Sequence, residues 1–368
     1  MGQVAVLFGG PAPEHDVSIL TGLQATRELA GAGRSVVAIH WSKTGAFHAV
    51  EPTSEAAAFL DGVPRGAEPL VLRIGRNGGF SSEGRLGRSR DLALDAVILC
   101  THGGPGEDGS LQAALDLAGV AFTGPSVAGA ALGMDKLAFT AVVRAAGVTT
   151  LPRVALTETT TVVPFDPPFI VKPRFGGSSI GIDVVGDLGT ARARLHANLH
   201  LAAGAVIEPY RADLADLQVA VRRYPALELS AIERPIRRAG GAEILDYADK
   251  YVAGEGMAAA PRELPAVLDG ARLTEVHAAA ALVADACQVR GIARIDFLEG
   301  NEGLYVNEVN TIPGSLSRYL FVDPARGFLE LLDDMVGEAT DVPSHRYEMT
   351  GADGAVLRTA GSIAAKLA

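Results

Sequence analysis

The chain has 368 residues, 48% of them hydrophobic and 20% charged, a composition that excludes a disordered chain and leaves room for two or three domains. Its formal net charge of -11 opposes a nucleic-acid-binding surface, which is basic, but allows an anionic nucleotide at a locally basic site. Two isolated cysteines, Cys100 and Cys287, suit buried reduced thiols rather than a disulfide framework or a zinc site.

The first residues, MGQVAVLFGG, run directly into a strand without a charged leader, and Val6 breaks the myristoylation pattern. No apolar run reaches the length of a membrane span. A cytoplasmic protein with neither membrane nor nucleic acid as partner is therefore expected. Residues 3–8 read as an apolar strand, followed by a helix over 17–30 with Asp16 as its N-cap and Gly31 and Gly33 as its stop. A second strand is expected at 35–41 and a third, apolar throughout, at 95–101. This pattern predicts an N-terminal α/β domain over 1–125 built on a doubly wound parallel sheet. The stretch 60–90, rich in Gly and Arg, resists assignment.

A helix is expected over 135–146, ended by Gly147, with a domain boundary near 125–130. Strands at 168–172, 180–185 and 205–208 with a helix at 187–203 mark a central α+β subdomain, 126–212. Strands at 217–223 and 226–232, a helix at 271–289 and a hairpin at 292–309 mark a C-terminal one, 213–340. The tail 341–368 is loosely specified.

The hairpin carries the densest chemistry. Residues 292–298 and 303–309 read as strands joined by the turn run EGNEG. Arg294, Asp296, Glu308 and Asn310 all fall on even positions, so an odd-length loop puts a cation, two carboxylates and an amide on one face. Leu304 and Val306 are expected to extend that face. A hard divalent cation takes such oxygen ligands, Mg²⁺ using one or two carboxylates plus substrate phosphates; a solvated face with scattered ion pairs is the alternative for four such residues alone. Lys172 ends a strand and leads into Gly176, Gly177, Ser178 and Ser179, a loop whose amides and hydroxyls can close over phosphates while the lysine neutralises them. An ordinary hairpin loop is the competing reading. Gly104, Gly106 and Gly109 in HGGPGEDG match a dinucleotide fingerprint, but Glu107 and Asp108 would stand where a pyrophosphate approaches. His102 and these glycines are expected instead to shape a substrate wall.

In order along the chain, LFGGPAPEHDVS, HGGPGEDGSLQ, TGPSVAGAALGMDK, KPRFGGSS, DYADKY, ARIDF and NEVNTIPG resemble the D-alanine:D-alanine ligase family of the ATP-grasp fold, from residue 3 to about 335. The resemblance implies that Glu14, Ser178 and Tyr251 surround the first amino acid, and that Lys136, Lys172, Glu208 and Asp216 hold the phosphates, adenine and ribose of ATP. It implies two Mg²⁺ ions, or Mn²⁺, on Asp296, Glu308 and Asn310. Arg294 would stabilise the tetrahedral intermediate, and Lys250 would meet the second substrate's carboxylate, with Tyr319 and Leu320 at the same end. The segment DYADKYVAGEGMAAAPREL is the expected lid. The implied reaction joins two D-alanines through an acyl phosphate for peptidoglycan synthesis, in a homodimer. Tyr319 stands where the family has a serine, Phe175 and Gly176 replace an Arg-Glu pair, and Pro209 replaces a lysine. These departures keep open a ligase of the same chemistry with another amine acceptor, in small-molecule biosynthesis.

Overall fold

The computed structural model describes residues 2–75, 78–83, 89–236, 261–343, 349–360 and 362–364. Strand β1 (Val4–Gly9) is apolar and buried at every position, as a strand covered on both faces must be. It pairs in parallel with β2 (Val36–Trp41) and β7 (Ala96–Leu99). The expected doubly wound parallel sheet stops there. Strands β3 (Phe47–Val50), β4 (Glu68–Arg73), β5 (Gly79–Glu83) and β6 (Ser89–Asp91) extend β2 as an antiparallel meander, so the sheet is mixed, in the order β6-β5-β4-β3-β2-β1-β7. The reason is connection length: only residues 42–46 separate β2 from β3, too few for a crossover helix. The unassigned 60–90 stretch supplies three of these strands.

Helix α1 (His15–Gly31) begins one residue before the expected Asp16 cap, with Glu14 at the cap position but making no capping bond through its side chain. α2 (Ser110–Leu117), α3 (Val127–Met134) and α4 (Lys136–Ala145) follow, the last capped by Asp135, which accepts from the amides of Leu137 and Ala138. Strands β8 (Val154–Leu156), β9 (Phe169–Pro173), β10 (Asp183–Val185) and β11 (Ala205–Pro209) form an antiparallel sheet in the order β10-β9-β11-β8. The helix expected over 187–203 ends sooner: α5 (Leu188–Ala197) stops where the Asn198 side chain accepts from the amide of His200 and starts a short 3₁₀ turn.

A third sheet, in the order β13-β12-β16-β17, contains β12 (Ala215–Arg222), β13 (Glu228–Leu229), β16 (Ile292–Gly300) and β17 (Gly303–Asn310). The ribbon β14 (Arg234–Pro235) with β15 (Arg262–Glu263) lies beside it. Helices α6 (Gly270–Ala286) and α7 (Phe328–Asp341) complete the frame. Ile295, Phe297, Leu304, Val306 and Val309 pack into a core with α4 and α6. Ile312, Leu316, Leu320 and the apolar face of α7 instead enter the N-terminal core with β1 and β7. Among the described residues no helix is long and apolar enough to cross a membrane.

The β16–β17 hairpin differs from its sequence reading in an instructive way. Gly300 pairs with Gly303, so the loop has two residues, and the register near it pairs odd with even: Phe297 with Val306, Leu298 with Tyr305. A bulge at Asn307 then shifts the register, so that Asp296 faces Glu308 and Arg294 faces Asn310. The four polar residues do share a face, because of the bulge and not the loop. Leu304 and Val306 lie on the other face, buried in the core, contrary to expectation.

Candidate active site

The cleft between the β8–β11 sheet and the β12–β17 sheet is lined by Lys136, Lys172, Gly176, Gly177, Ser179, Glu208, Asp216, Asp296 and Glu308. Every residue expected to hold the nucleotide is therefore in one place, with both carboxylates of the expected metal set. A smaller adjoining pocket shares Lys136, Gly177 and Glu308 and adds Glu14, Glu107 and Asn310.

At the floor of the cleft Glu208 is buried, and both of its oxygens are taken. Arg153 Nε donates to Oε1 at 2.7 Å and Lys172 Nζ to Oε2 at 3.0 Å. Burial alone would raise this carboxyl, but the Arg153 and Lys172 charges outweigh it and hold it down to about 2. Arg153 also donates to Lys136 O at 3.0 Å, Thr140 Oγ1 at 2.9 Å and Asn307 O at 3.1 Å, tying α4 and the bulge of β17 to β11. The Glu208 side chain thus orients Lys172. Lys136, its pKa lowered by burial, donates from Nζ to the carbonyl of Gly176 at 2.5 Å and so anchors the glycine loop.

That loop carries two non-glycine residues in the left-handed region, Ser178 (φ 52°) and Ser179 (φ 58°), a conformation that L-residues adopt at a cost. It brings Ser178 Oγ to donate to Glu14 Oε1 across 164 residues of sequence. This bond explains why Glu14 does not cap its own helix. Tyr251 and Lys250, with most of the expected lid, lie outside the described residues.

On the hairpin, Arg294 grips Asp296 through Nε and Nη2, and Asn310 Nδ2 donates to Asp296 Oδ2 at 3.1 Å. His102 is buried with both ring nitrogens engaged: Nδ1–H donates to Ile312 O at 2.7 Å, and Nε2 accepts from Thr21 Oγ1 at 2.9 Å. Burial pushes its pKa down to about 4, so it is neutral at physiological pH. Thr21 Oγ1 in turn accepts from the Ser315 amide at 3.0 Å. His102 therefore pins the 311–320 segment. Leu320, expected at the acceptor end, has its side chain buried in the N-terminal core. Tyr319 is half-buried and donates its hydroxyl to Glu233.

Three side chains of this site went unrecognised in the sequence. Arg153 and Asn307 carry no local signal. Glu107, noted only as an obstacle to pyrophosphate, accepts from the amides of Gly103 and Ile312, each at 3.0 Å, and from Thr311 Oγ1 at 3.1 Å. Burial, then the nearby charge of Glu14, raises its carboxyl to about 7.

Two family descriptions match the chain: "D-ala D-ala ligase N-terminus" over residues 3–125 and "D-ala D-ala ligase C-terminus" over 129–336. The D-alanine–D-alanine ligase of Bradyrhizobium sp. (strain ORS 278) is 31% identical over 350 residues, covering 92% of this chain and 95% of that protein. That of Methylobacterium sp. (strain 4-46) is 34% identical over 368 residues, covering 92% and 91%. Among solved structures, the D-alanine–D-alanine ligase of Helicobacter pylori superposes with a TM-score of 0.71 at 25% identity, covering 94% of this chain and all of that one. With a cleft that gathers two lysines, a glycine loop and paired carboxylates, and with both family halves matched in order, the chain belongs to the D-alanine:D-alanine ligase family of ATP-dependent ligases.

Proposed function

We propose that the protein joins two molecules of D-alanine, in the cytoplasm, for peptidoglycan precursor synthesis. The observation that carries this reading is the continuity of the two pockets: the glycine loop, held at Gly176 by Lys136, reaches from the phosphate side of the cleft to Glu14. A carboxylate at Glu14 takes the ammonium group of the first amino acid, and the lysines Lys136 and Lys172 neutralise the phosphoryl group as it moves to that amino acid's carboxylate. The resulting acyl phosphate is attacked by the amine of the second amino acid, forming the amide bond and releasing phosphate. Arg294, on the same face as Asp296, balances the oxyanion of the tetrahedral intermediate.

The donor set on the hairpin fits magnesium. Asp296 and Glu308 are directly opposed and both line the cleft, and Asn310 adds an amide, a set of hard oxygen donors. Bound there, the metal supplies Lewis-acid polarisation of the γ-phosphate. The same reading takes 1–125, 126–212 and 213–340 as three working domains with a separate tail, 341–368, and the assembly as a homodimer.

A second reading, another amine acceptor, is favoured by one feature: Tyr319, in place of the family serine, is held by Glu233. Incubation with ATP, Mg²⁺ and D-alanine separates the two. The first reading requires D-alanyl-D-alanine and phosphate in equal amounts; phosphate without dipeptide, restored by a different amine, establishes the second.

A further inference from the structure

Glu233 was not among the residues expected in the site, yet the sheet places it in the same row as Asp296 and Glu308. Its backbone exchanges two hydrogen bonds with Gln218, at 2.8 and 2.9 Å, and Gln218 faces Asp296, which faces Glu308. Directly opposed residues of antiparallel strands project from the same face, so Glu233, Gln218, Asp296 and Glu308 form one row across the sheet. At the usual strand spacing the Glu233 backbone lies about 10 Å from that of Asp296.

Glu233 is buried, 5% exposed. Its carboxylate accepts from the Tyr319 hydroxyl and pairs with Arg262 Nη1 at 3.2 Å, and the Arg262 guanidinium lies over the Tyr319 ring, 5.3 Å from its centre. The three residues come from an isolated bridge just before β14, from β15 and from the 3₁₀ segment 314–320. They thus make a closed triangle of hydrogen bond, ion pair and cation–π contact. A tyrosine fastened at its hydroxyl and covered on its face cannot swing aside, so its ring sets a fixed limit on the space around it.

Resting on the reading of the cleft as an amine ligase, we infer that Glu233 is a positioning residue for the acceptor: it fixes Tyr319 and Arg262 as a wall that restricts the second substrate to a small amino acid. The 311–320 segment runs from the metal side at Asn310, past Glu107 and His102, to this wall. Tyr319 takes the place of a serine hydroxyl, exchanging one hydrogen-bonding group for a bulky ring.

The test is a competition in which the full-length enzyme, ATP and Mg²⁺ receive equal D-alanine and D-leucine, with dipeptides quantified by mass spectrometry. Wild-type enzyme is expected to make D-alanyl-D-alanine almost alone, and Tyr319→Ser to raise the D-alanyl-D-leucine fraction at least tenfold. Glu233→Ala and Tyr319→Phe, which each remove one partner of the same bond, are expected to raise the acceptor KM at least fivefold, more than the KM for ATP. The double variant should be no worse than either single one. An active wild type whose product ratio is unmoved by Tyr319→Ser, or additive effects in the double variant, would overturn this inference alone. A wild type that makes no dipeptide with D-alanine would overturn the ligase reading as well. Tyr319→Phe, which keeps the ring, serves if Tyr319→Ser fails to fold.

Discussion

Arg294 and Asp296, two residues apart on one strand, are locked together by a pair of hydrogen bonds, Nε to Oδ1 at 2.6 Å and Nη2 to Oδ2 at 2.8 Å. The guanidinium of the proposed intermediate-stabilising residue therefore rests on a proposed metal ligand. Both are only partly exposed, so neither charge is compensated by water alone. Replacing Arg294 by Ala removes the cation while leaving the nucleotide contacts on the opposite sheet in place. Turnover is expected to fall by roughly 10²- to 10³-fold, the usual cost of losing one donor to a developing oxyanion. Calorimetric binding of a non-hydrolysable ATP analogue should change little; a loss of binding equal to the loss of rate would refute the assignment.

Glu14 is crowded on one side by the backbone of Gly103, whose φ of 62° lies in the left-handed region, and a methyl group there would fall on the Glu14 carboxylate. Gly103→Ala must therefore strain the backbone and displace Glu14 together. The expected result is a KM for the first D-alanine at least tenfold higher, with the KM for ATP much less affected. Equal rises in both constants would place Gly103 in the scaffold rather than at the donor end.

The Arg153–Glu208–Lys172 group is a buried charge cluster in which the carboxylate satisfies two cations. Glu208→Ala leaves both unpaired, which is expected to destabilise the protein by about 3–5 kcal/mol, measured by urea unfolding. The native pKa lies at about 2, below the usual 4.5, so the wild-type contribution is complete above pH 4.5 and is lost as the pH falls toward 2. The variant should lack that part of the acid transition.

His40 presents the opposite titration. It is fully buried against Phe59 and His15, neither ring nitrogen has a hydrogen-bond partner among the described residues, and burial followed by the neighbouring histidines lowers its pKa to about 4 from 6.5. The folded state holds it neutral, so its contribution is complete above pH 6.5 and disappears between 6.5 and 4, a span of about 3 kcal/mol. His40→Leu should flatten stability against pH in that window. An unchanged slope would show that His40 protonates without penalty.

The sequence disclosed the site more fully than the fold. Lys172, Asp296 and Glu308 were identifiable because each stands in a short motif whose spacing is dictated by local geometry. The meander β3–β6 was not, since its strands are short, partly exposed and separated by Gly and Arg, and hence lack a clear period. Parity arguments placed Asp296 opposite Glu308 for the wrong reason, because a bulge such as that at Asn307 leaves no residue-type signature. Arg153 and Glu233 were invisible for a related cause: their partners, Glu208 and Tyr319, are 55 and 86 positions away in sequence, and only the tertiary fold makes them neighbours.

Val309 belongs to the core built by α4 and α6, while Ile312, three residues later, belongs to the N-terminal core that α7 completes. During synthesis the N-terminal core lacks its closing helix, α7, until almost the whole chain has been made. The N-terminal third cannot mature as an independent unit ahead of the rest, and a chain stopped before Phe328 exposes the apolar groove meant for α7. Asn310 and Thr311 are strung between the two cores, so their placement depends on both.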